Sequence, residues 1–239
     1  MAHRYRFFGK RLSDEIWEID SSEYNHISNV LRISKGDSVE VCDGKGSWSI
    51  GSFSKISKRE ITIVVEQSFF DEASPKSSEI AIGALKQQSM DIILPDLVEL
   101  GVTEIHIFSQ ADIAKSRLNE KTVARWNRII EGSVKQCKRS WIPRLITHKS
   151  MEEFMSYKSY GDDFQKFIAF HEGEPLVSQV FNSSKSKMLT VIGGEKGLSD
   201  HEFKILKENG FVEASVGPHI LKAMTAAVAC AAVQTYILN

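Results

Sequence analysis

Two glycine-containing stretches near the C-terminal end of the sequence have the residue types and spacing of a ligand-binding site. The first, over 191–202, reads V-I-G-G-E-K-G-L-S-D-H-E, and the second, over 214–226, reads A-S-V-G-P-H-I-L-K-A-M-T-A. Each reads as an apolar strand end, a tight loop and the start of a helix. Because backbone N–H and C=O groups can approach a flat ligand where no Cβ intervenes, two such loops in one domain predict a shared binding site.

The first stretch does not have the pattern of a nucleotide phosphate loop. Its glycines lack the G-x-x-x-x-G-K-(S/T) spacing, and no Asp follows where a ribose-binding acid would be expected. An ordinary turn between a strand and a helix is the alternative interpretation. Ser199 and Glu202, three residues apart, also have the spacing of a helix cap and its partner.

The segments that position these loops alternate between strand and helix from residue 80 onward. Their apolar patterns predict strands over 80–85, 104–108, 167–171, 188–192 and 211–216, and helices over 90–100, 119–137, 176–181, 200–209 and 220–238. This alternation is typical of a mainly parallel sheet with helices on both faces.

The first 70 residues have a different pattern, which predicts mostly β structure. Short strands separated by turn residues are predicted over 38–42, 47–54 and 60–66. A short helix is predicted over 23–31, and the polar segment 71–78 reads as a linker. We therefore expect a small barrel over 1–72 and an α/β domain over 73–239.

The composition argues against several classes of protein. No apolar run reaches the roughly 20 residues needed to cross a bilayer, so a membrane is not expected as a partner. Cys42, Cys137 and Cys230 are odd in number and far apart, which argues against a disulfide framework and a paired-cysteine zinc site. No metal is predicted, and a reducing, cytoplasmic setting is expected.

Charge is unevenly distributed along the chain. The net charge is −1, so composition alone does not indicate a nucleic-acid partner. Residues 115–149, however, hold ten Lys/Arg against two Glu, and the N-terminus adds Arg4, Arg6, Lys10 and Arg11. Such clusters attract phosphates, although a solvated helix face is an equally good interpretation of the charge alone.

The two glycine stretches together resemble the signature loops of the RsmE family, the 16S rRNA uridine-N3 methyltransferases of the knotted SPOUT class. The family patterns are roughly I-G-P-E-G-G-(L/F)-S-x-x-E and L-G-x-R-I-L-R-x-E-T-A. The chain keeps Val216-Gly217, Ile220-Leu221 and Thr225-Ala226 at the family's spacing, without insertion.

The resemblance implies that S-adenosylmethionine binds across the two loops. The residues it assigns to the cofactor are Ile192, Gly193, Gly194, Glu195, Gly197, Val216, Gly217, Ile220, Leu221, Thr225 and Ala226. The implied fold is α/β: a SPOUT-type, knotted parallel-sheet domain preceded by a small PUA-like β-barrel domain that binds RNA. The family also implies a homodimer formed through the C-terminal domain.

The basic segment over 135–143, K-Q-C-K-R-S-W-I-P, resembles the family's E-Q-x-x-R-x-x-x-P. A Gln amide can hydrogen-bond a splayed-out base, and an Arg can hold a phosphate or stack on a base. Arg139 is the expected catalytic residue, because its charge could stabilise negative charge on the carbonyls of a uridine. An exposed helix end is the alternative interpretation.

The N-terminal sequence also follows the family, with R-x-F, H-x-x-x-V-L-R, G-D and D-G-x-G in order. RNA contacts are predicted at Arg4, Arg6, His26, Arg32, Gln136 and Lys138. For His26 alone, a structural role is the more common alternative. The predicted activity is S-adenosylmethionine-dependent methylation of uridine N3 in 16S rRNA of the small ribosomal subunit.

The departures from the family pattern within the loops include Gly194, Lys196, His219, Lys222 and Met224. Lys222 keeps the charge of an Arg but loses its bidentate geometry, and Met224 replaces a carboxylate. These departures leave open a catalytically weakened family member that binds rRNA during ribosome assembly. A methyltransferase for another RNA is a further alternative. A nucleotide-dependent metabolic enzyme ranks last, since no phosphate loop is present.

Overall fold

The computed structural model describes residues 4–110, 118–175 and 185–238. The chain divides into two compact units. The first contains the residues up to 73 together with 131–142, and the second contains 74–130 and 143–239. The helix predicted over 176–181 and the basic residues of 115–117 lie outside the described residues.

The first unit is built on a closed five-stranded barrel in the order β1-β2-β5-β4-β3. Its strands are β1 (Arg6–Arg11), β2 (Ile16–Ile19), β3 (Ser38–Cys42), β4 (Ser47–Ile56) and β5 (Ile61–Phe70). Neighbouring strands are antiparallel except β1 and β3, whose parallel pairing closes the barrel. Closure leaves no unpaired strand edge.

The residues that fill the barrel core come from strands that could be predicted from the sequence and from strands that could not. Phe7, Trp17, Val39, Phe53 and Ile63 point inward and are almost fully buried. The three predicted strands are confirmed, while β1 and β2 were missed. β1 is interrupted by Arg, Gly and Lys, and β2 has only four residues, so neither shows a clear alternating pattern.

The short helix predicted over 23–31 is confirmed, although its turns are irregular. The chain forms a 3₁₀ turn at Ser21–Glu23 and then a π-helical turn at His26–Val30. Asp20 caps the first turn, because its side chain accepts a hydrogen bond from the backbone N–H of Ser22 at 2.8 Å. The apolar residues here are too few to hold a longer helix against the barrel.

The second unit contains a six-stranded sheet in the order β11-β9-β10-β6-β7-β8. The strands are β6 (Ser77–Gly83), β7 (Glu104–Phe108), β8 (Arg144–His148), β9 (Phe164–Pro175), β10 (Lys187–Ile192) and β11 (Val212–Ser215). Every neighbouring pair is parallel. The carboxyl ends of the strands therefore share one edge, where α/β sheets usually bind ligands.

The helices are α1 (Gln87–Glu99), α2 (Glu120–Cys137), α3 (Met151–Tyr157), α4 (Asp200–Glu208) and α5 (Ala223–Leu238). The four predicted helices that lie within the described residues are confirmed, with shifted ends. β8 and α3 were missed by sequence reasoning. No described helix has the length and apolar character to span a membrane.

The last helix is hydrogen-bonded to the sheet through one buried amide. α5 is Ala-rich, and its Gln234 is fully buried. Ser78 Oγ on β6 donates a hydrogen bond to Gln234 Oε1 at 2.9 Å, and Gln234 Nε2 donates to Thr190 Oγ1 on β10 at 2.5 Å. Both ends of the amide are thus satisfied, as burial of a polar group requires.

Candidate functional site

A cavity of about 450 Å³ lies at the carboxyl edge of the sheet in the second unit. We call residues 193–198 the first loop and residues 216–222 the second loop, and both line this cavity. The predicted cofactor residues that line it are Ile192, Gly193, Gly194, Glu195, Gly197, Val216, Gly217, Ile220, Leu221 and Ala226. Thr225 is exposed and lies outside the lining.

Other lining residues were not singled out from the sequence. Ala169, Phe170 and His171 come from β9, and Phe203 comes from α4. The β9 residues lie in a strand between those that precede the two loops, so only the strand order reveals their position. The cavity thus combines apolar side chains with the exposed backbone of the glycines, which suits a partly apolar, flat ligand.

The first loop is folded tightly on itself. The N–H of Gly197 donates to the carbonyl of Gly194 at 3.0 Å, and Gly197 has a φ of +78°. A Cβ on Gly193 would lie 2.5 Å from the nitrogen of Leu198. Side chains are therefore excluded at Gly193 by contact and disfavoured at Gly197 by backbone conformation.

The helix after the first loop begins with a capping box. Ser199 Oγ accepts from the backbone N–H of Glu202, and the backbone N–H of Ser199 donates to Glu202 Oε2 at 2.8 Å. This confirms the predicted cap. Glu202 is itself buried, at 8% exposure, and needs such donors.

Two residues from other strand ends also contact the first loop. Gln110, just after β7, hydrogen-bonds Gly194, Gly197 and Glu202. Lys86, just after β6, donates its backbone N–H to Glu195 Oε1 at 3.2 Å, and its ammonium lies 3.7 Å from Glu195 Oε2. Sequence reasoning did not find Gln110, because no local motif marks it.

The second loop is more open. Val216 and Gly217 are half-buried, whereas Pro218 and His219 are exposed and Ile220 is 77% exposed. A Cβ on Gly217 would meet no protein atom within 4 Å. Space beside the cavity is therefore left free at this position.

In the first unit, the predicted RNA contact Arg6 has a different role. Its side chain is 4% exposed and its guanidinium lies 2.9 Å from Glu40 Oε2. It also donates to the backbone carbonyl of Lys138 at 2.7 Å. The side chain of Lys138 binds the same carboxylate, because its Nζ donates to Glu40 Oε1 at 2.8 Å. Arg6 thus joins residues 131–142 to the barrel and is not accessible to RNA.

The other predicted RNA contacts of the first unit are more accessible. His26, Arg32, Gln136 and Lys138 are exposed, and Arg4 is half-buried with its Nε donating to Ser38 Oγ at 2.8 Å. These positions leave cationic and amide groups on the surface of the unit.

Arg139 is half-buried in the first unit, and its backbone N–H donates to the carbonyl of Val134 at 3.2 Å. Burial lowers the pKa of its guanidinium. A guanidinium nevertheless stays charged at neutral pH, so Arg139 is a partly desolvated cation.

A buried polar cluster occupies the amino-terminal half of β6 and β7. Ligand atoms of Glu79, Glu104 and His106 lie within 4.8 Å of one another, a spacing that could suit a metal ion. The ammonium of Lys158 already lies 2.9 Å from Glu79 Oε1 and 2.8 Å from Glu104 Oε2. Lys158 therefore supplies the positive charge that the two carboxylates require.

The same cluster has shifted pKa values. Burial acts to raise the pKa of Glu104, but hydrogen bonds from His106 and Lys158 outweigh it and hold that pKa at about 2. Burial, aided by the charge of His106, lowers the pKa of His148 from 6.5 to about 4. The rings of His106 and His148 are joined by a 3.1 Å hydrogen bond.

Proteins of known structure share the fold of this chain along nearly its whole length. The Neisseria gonorrhoeae ribosomal RNA small subunit methyltransferase E bound to S-adenosyl methionine superposes with a TM-score of 0.84 at 23% identity, covering 96% of each chain. A putative methyltransferase from Legionella pneumophila, Lpg2936, also gives 0.84 at 23% identity and covers 98% of each chain. The predicted fold class, a SPOUT-type domain after a PUA-like barrel, is confirmed.

The sequence comparisons give the family. The family model of the RNA methyltransferase domain matches residues 72–235, and that of the RNA methyltransferase PUA domain matches 19–66. The chain belongs to the RNA methyltransferase domain family. Curated relatives include the ribosomal RNA small subunit methyltransferase E of Bacillus subtilis, 28% identical over 93% of this chain and 92% of the relative. The protein of the same name from Buchnera aphidicola subsp. Acyrthosiphon pisum is 25% identical over 93% and 88%. The predicted resemblance to the RsmE family is thereby confirmed.

Proposed function

We propose that this protein transfers a methyl group from S-adenosylmethionine to N3 of a uridine in 16S rRNA of the small ribosomal subunit. The observation that carries the proposal is the cavity of the second unit. Ten of the eleven residues assigned to the cofactor by sequence pattern line it. The names of the curated relatives support a small-subunit rRNA substrate.

The residues present suit S-adenosylmethionine. Its adenine needs an apolar slot and backbone hydrogen-bonding groups, which Ile192, Leu221 and the glycines offer. At Gly197 and Gly217 an added Cβ would enter space free of protein, so close approach of a ligand is sterically allowed. When bound, the cofactor supplies an electrophilic methyl group.

The protein's own part is binding and orientation of the RNA base. Gln136 is exposed and can hydrogen-bond the edge of an unstacked base. Arg139 stabilises the negative charge that develops on the base carbonyls as N3 loses its proton. Positioning of this kind supplies much of the rate gain in a transfer between two bound reactants.

The proposed RNA surface comprises five of the six predicted contacts, without Arg6: Arg4, His26, Arg32, Gln136 and Lys138. When the cationic side chains of this surface contact RNA phosphates, counterions are released from the RNA. Binding to RNA should therefore weaken steeply as salt is raised, and a flat salt dependence would contradict this surface. We further propose a cytoplasmic homodimer formed through the second unit.

A second candidate function is rRNA binding without efficient catalysis. Lys196 and His219, which depart from the family pattern, both line the cavity. Calorimetry with S-adenosylmethionine separates the candidates. No binding at millimolar cofactor would favour the non-catalytic protein.

The direct test of the proposed function is mass spectrometry of small-subunit RNA from a deletion strain. Loss of one methyl group on a uridine, restored by the wild-type gene, is expected. An unchanged set of methylated uridines would refute the substrate.

The role of Arg139 is tested by Arg139→Ala, with Arg59→Ala on the exposed turn before β5 as the matched control. The first change should lower methyl transfer about 100-fold or more, as removal of a preorganised charge-stabilising donor does. Equal activity of both variants on small subunits would remove Arg139 from the mechanism.

A further inference from the structure

The first loop is held in place by a side chain from outside it. Gln110 lies two residues past the end of β7, and its carboxamide reaches the loop that follows β10. Its Oε1 accepts the N–H of Gly194 at 3.1 Å. Its Nε2 donates to the carbonyl of Gly197 at 2.9 Å and to Glu202 Oε2 at 2.9 Å.

The carboxamide can reach the loop because two glycines leave room for it. β6 lies between β7 and β10, and Gly83 is its last residue. A Cβ on Gly83 would lie 2.6 Å from Gln110 Oε1 and 2.5 Å from the nitrogen of Gly194. A Cβ on Gly194 would also collide with Gln110 Oε1. Gln110, Gly83 and Gly194 are thus matched in size across three adjacent strands.

Only an amide satisfies all three partners. Gly194 requires an acceptor, whereas the carbonyl of Gly197 and the buried carboxylate of Glu202 require donors. A carboxylate at this position would lose both donors and lie beside Glu202. An aliphatic side chain would leave the N–H of Gly194 and the carboxylate of Glu202 short of one bond each, which is costly because both residues are buried.

We propose that Gln110 is a positioning residue that sets the shape of the first loop and thereby the affinity for S-adenosylmethionine. This inference rests on the proposed function. Gln110 acts through the loop: it fixes Gly194 and Gly197, whose backbone lines the cavity, in the conformation that binds the cofactor.

The test compares Gln110→Leu, Gln110→Glu and wild type in two measurements. Hydrogen exchange of the amides over 193–199 in the ligand-free protein reports the loop itself. Calorimetry reports the dissociation constant for S-adenosylmethionine. At about pH 8, both variants should exchange these amides about tenfold faster and bind about tenfold more weakly, as expected for a lost hydrogen bond to a charged group.

The pH dependence of Gln110→Glu adds a readout that general destabilisation would not give. Two adjacent carboxyl groups raise the pKa of one of them, so a proton is taken up as pH falls. At about pH 5.5 the introduced carboxyl can donate that proton to Glu202 and accept the N–H of Gly194. Loop protection and cofactor affinity should recover in part in Gln110→Glu, which regains two of the three hydrogen bonds but not the one to the carbonyl of Gly197, and should not recover in Gln110→Leu.

Gln67→Leu and Gln67→Glu, at an exposed position of β5, serve as matched controls and should leave both measurements unchanged. Wild-type protection of the loop in both Gln110 variants would overturn the inference. Faster exchange with unchanged cofactor affinity would overturn it too. If wild type itself binds no cofactor, the proposed function fails, and exchange still decides whether Gln110 holds the loop.

Discussion

The two loops that line the cavity are built in opposite ways. The first closes on itself through the Gly194–Gly197 hydrogen bond and is held by Gln110. The second has exposed residues at Pro218, His219 and Ile220. Among the described residues, no side chain bridges the second loop as Gln110 bridges the first.

The glycines of the two loops show the same difference between a closed loop and an open one. Gly193 has backbone atoms where a Cβ would lie, whereas Gly217 has none within 4 Å. Glycine is thus required at Gly193 by the protein's own fold, while the open space at Gly217 is available to a ligand. The comparison indicates that the first loop is a preformed half of the site and that the second is the adaptable half.

The largest effect is expected at Gly193. In Gly193→Ala the new methyl group would collide with the backbone of the first loop, and a backbone clash cannot be relieved by a rotamer change. We expect a loss of about 1–3 kcal/mol in the free energy of unfolding, typical of overpacking. Cofactor binding should also be lost. Urea denaturation and calorimetry measure the two effects, and an unaffected variant would refute the preformed loop.

Acid should act at His148, the last residue of the edge strand β8. The pKa of His148 is about 4 in the folded protein against 6.5 ordinarily, so the unfolded chain binds the proton first as pH falls. Stability should therefore decrease between about pH 6.5 and pH 4, by on the order of 2–3 kcal/mol. Glu104, with a folded pKa of about 2 against 4.5, extends the loss below that range.

Thermal unfolding as a function of pH measures this slope. His148→Gln should flatten it above pH 4, since the substituted side chain does not titrate. A slope that persists unchanged would place the acid sensitivity elsewhere. The pH series also shows where cofactor binding can be compared without loss of the fold.

Gly217→Leu should separate binding from stability. The new side chain meets no protein atom near its Cβ, so the free energy of unfolding should change by less than about 0.5 kcal/mol. Because Gly217 lines the cavity, affinity for S-adenosylmethionine should fall by about tenfold or more, a loss near 1.4 kcal/mol.

Gly132→Leu is the matched control, because a Cβ there also meets nothing within 4 Å but the residue lies on α2 and outside the cavity lining. Its cofactor affinity should equal that of wild type. Equal affinities for all three proteins would mean that the second loop does not contact the cofactor.

The smallest effect is expected for His219→Ala. The imidazole is exposed at the rim of the cavity, so neither stability nor affinity should change by more than about 0.5 kcal/mol. Isothermal calorimetry and thermal melting are sufficient. A large affinity loss would show that this departure from the family pattern had acquired a binding role.

A structural feature could be predicted from the sequence where the residues that determine it are close together in the chain. Glycines at 193, 194, 197 and 217 occur beside apolar strand ends, and this combination is recognisable in a short window. The capping pair Ser199–Glu202 was likewise predicted from a three-residue spacing. These signals gave both loops of the cavity correctly.

Contacts between distant residues could not be predicted in this way. Gln110 reaches Gly194, 84 residues later, and the pairing depends on strand order and on the absence of a side chain at Gly83. Arg6 has the type and place of an RNA contact in the sequence. Its burial against Glu40 follows only from the pairing of β1 with β3, which puts the two residues side by side.

The amide of Gln234 has a consequence for the cavity more than two helical turns away. Two hydrogen bonds, to Ser78 and Thr190, bind α5 to β6 and β10 with Gln234 facing the sheet. The first turn of that helix supplies Ala223 and Ala226 to the cavity wall. A rotation of one residue, about 100°, would replace that smooth wall with a different set of side chains. The buried carboxamide of Gln234 thus contributes to the orientation in which α5 presents Ala223 and Ala226 to the cavity.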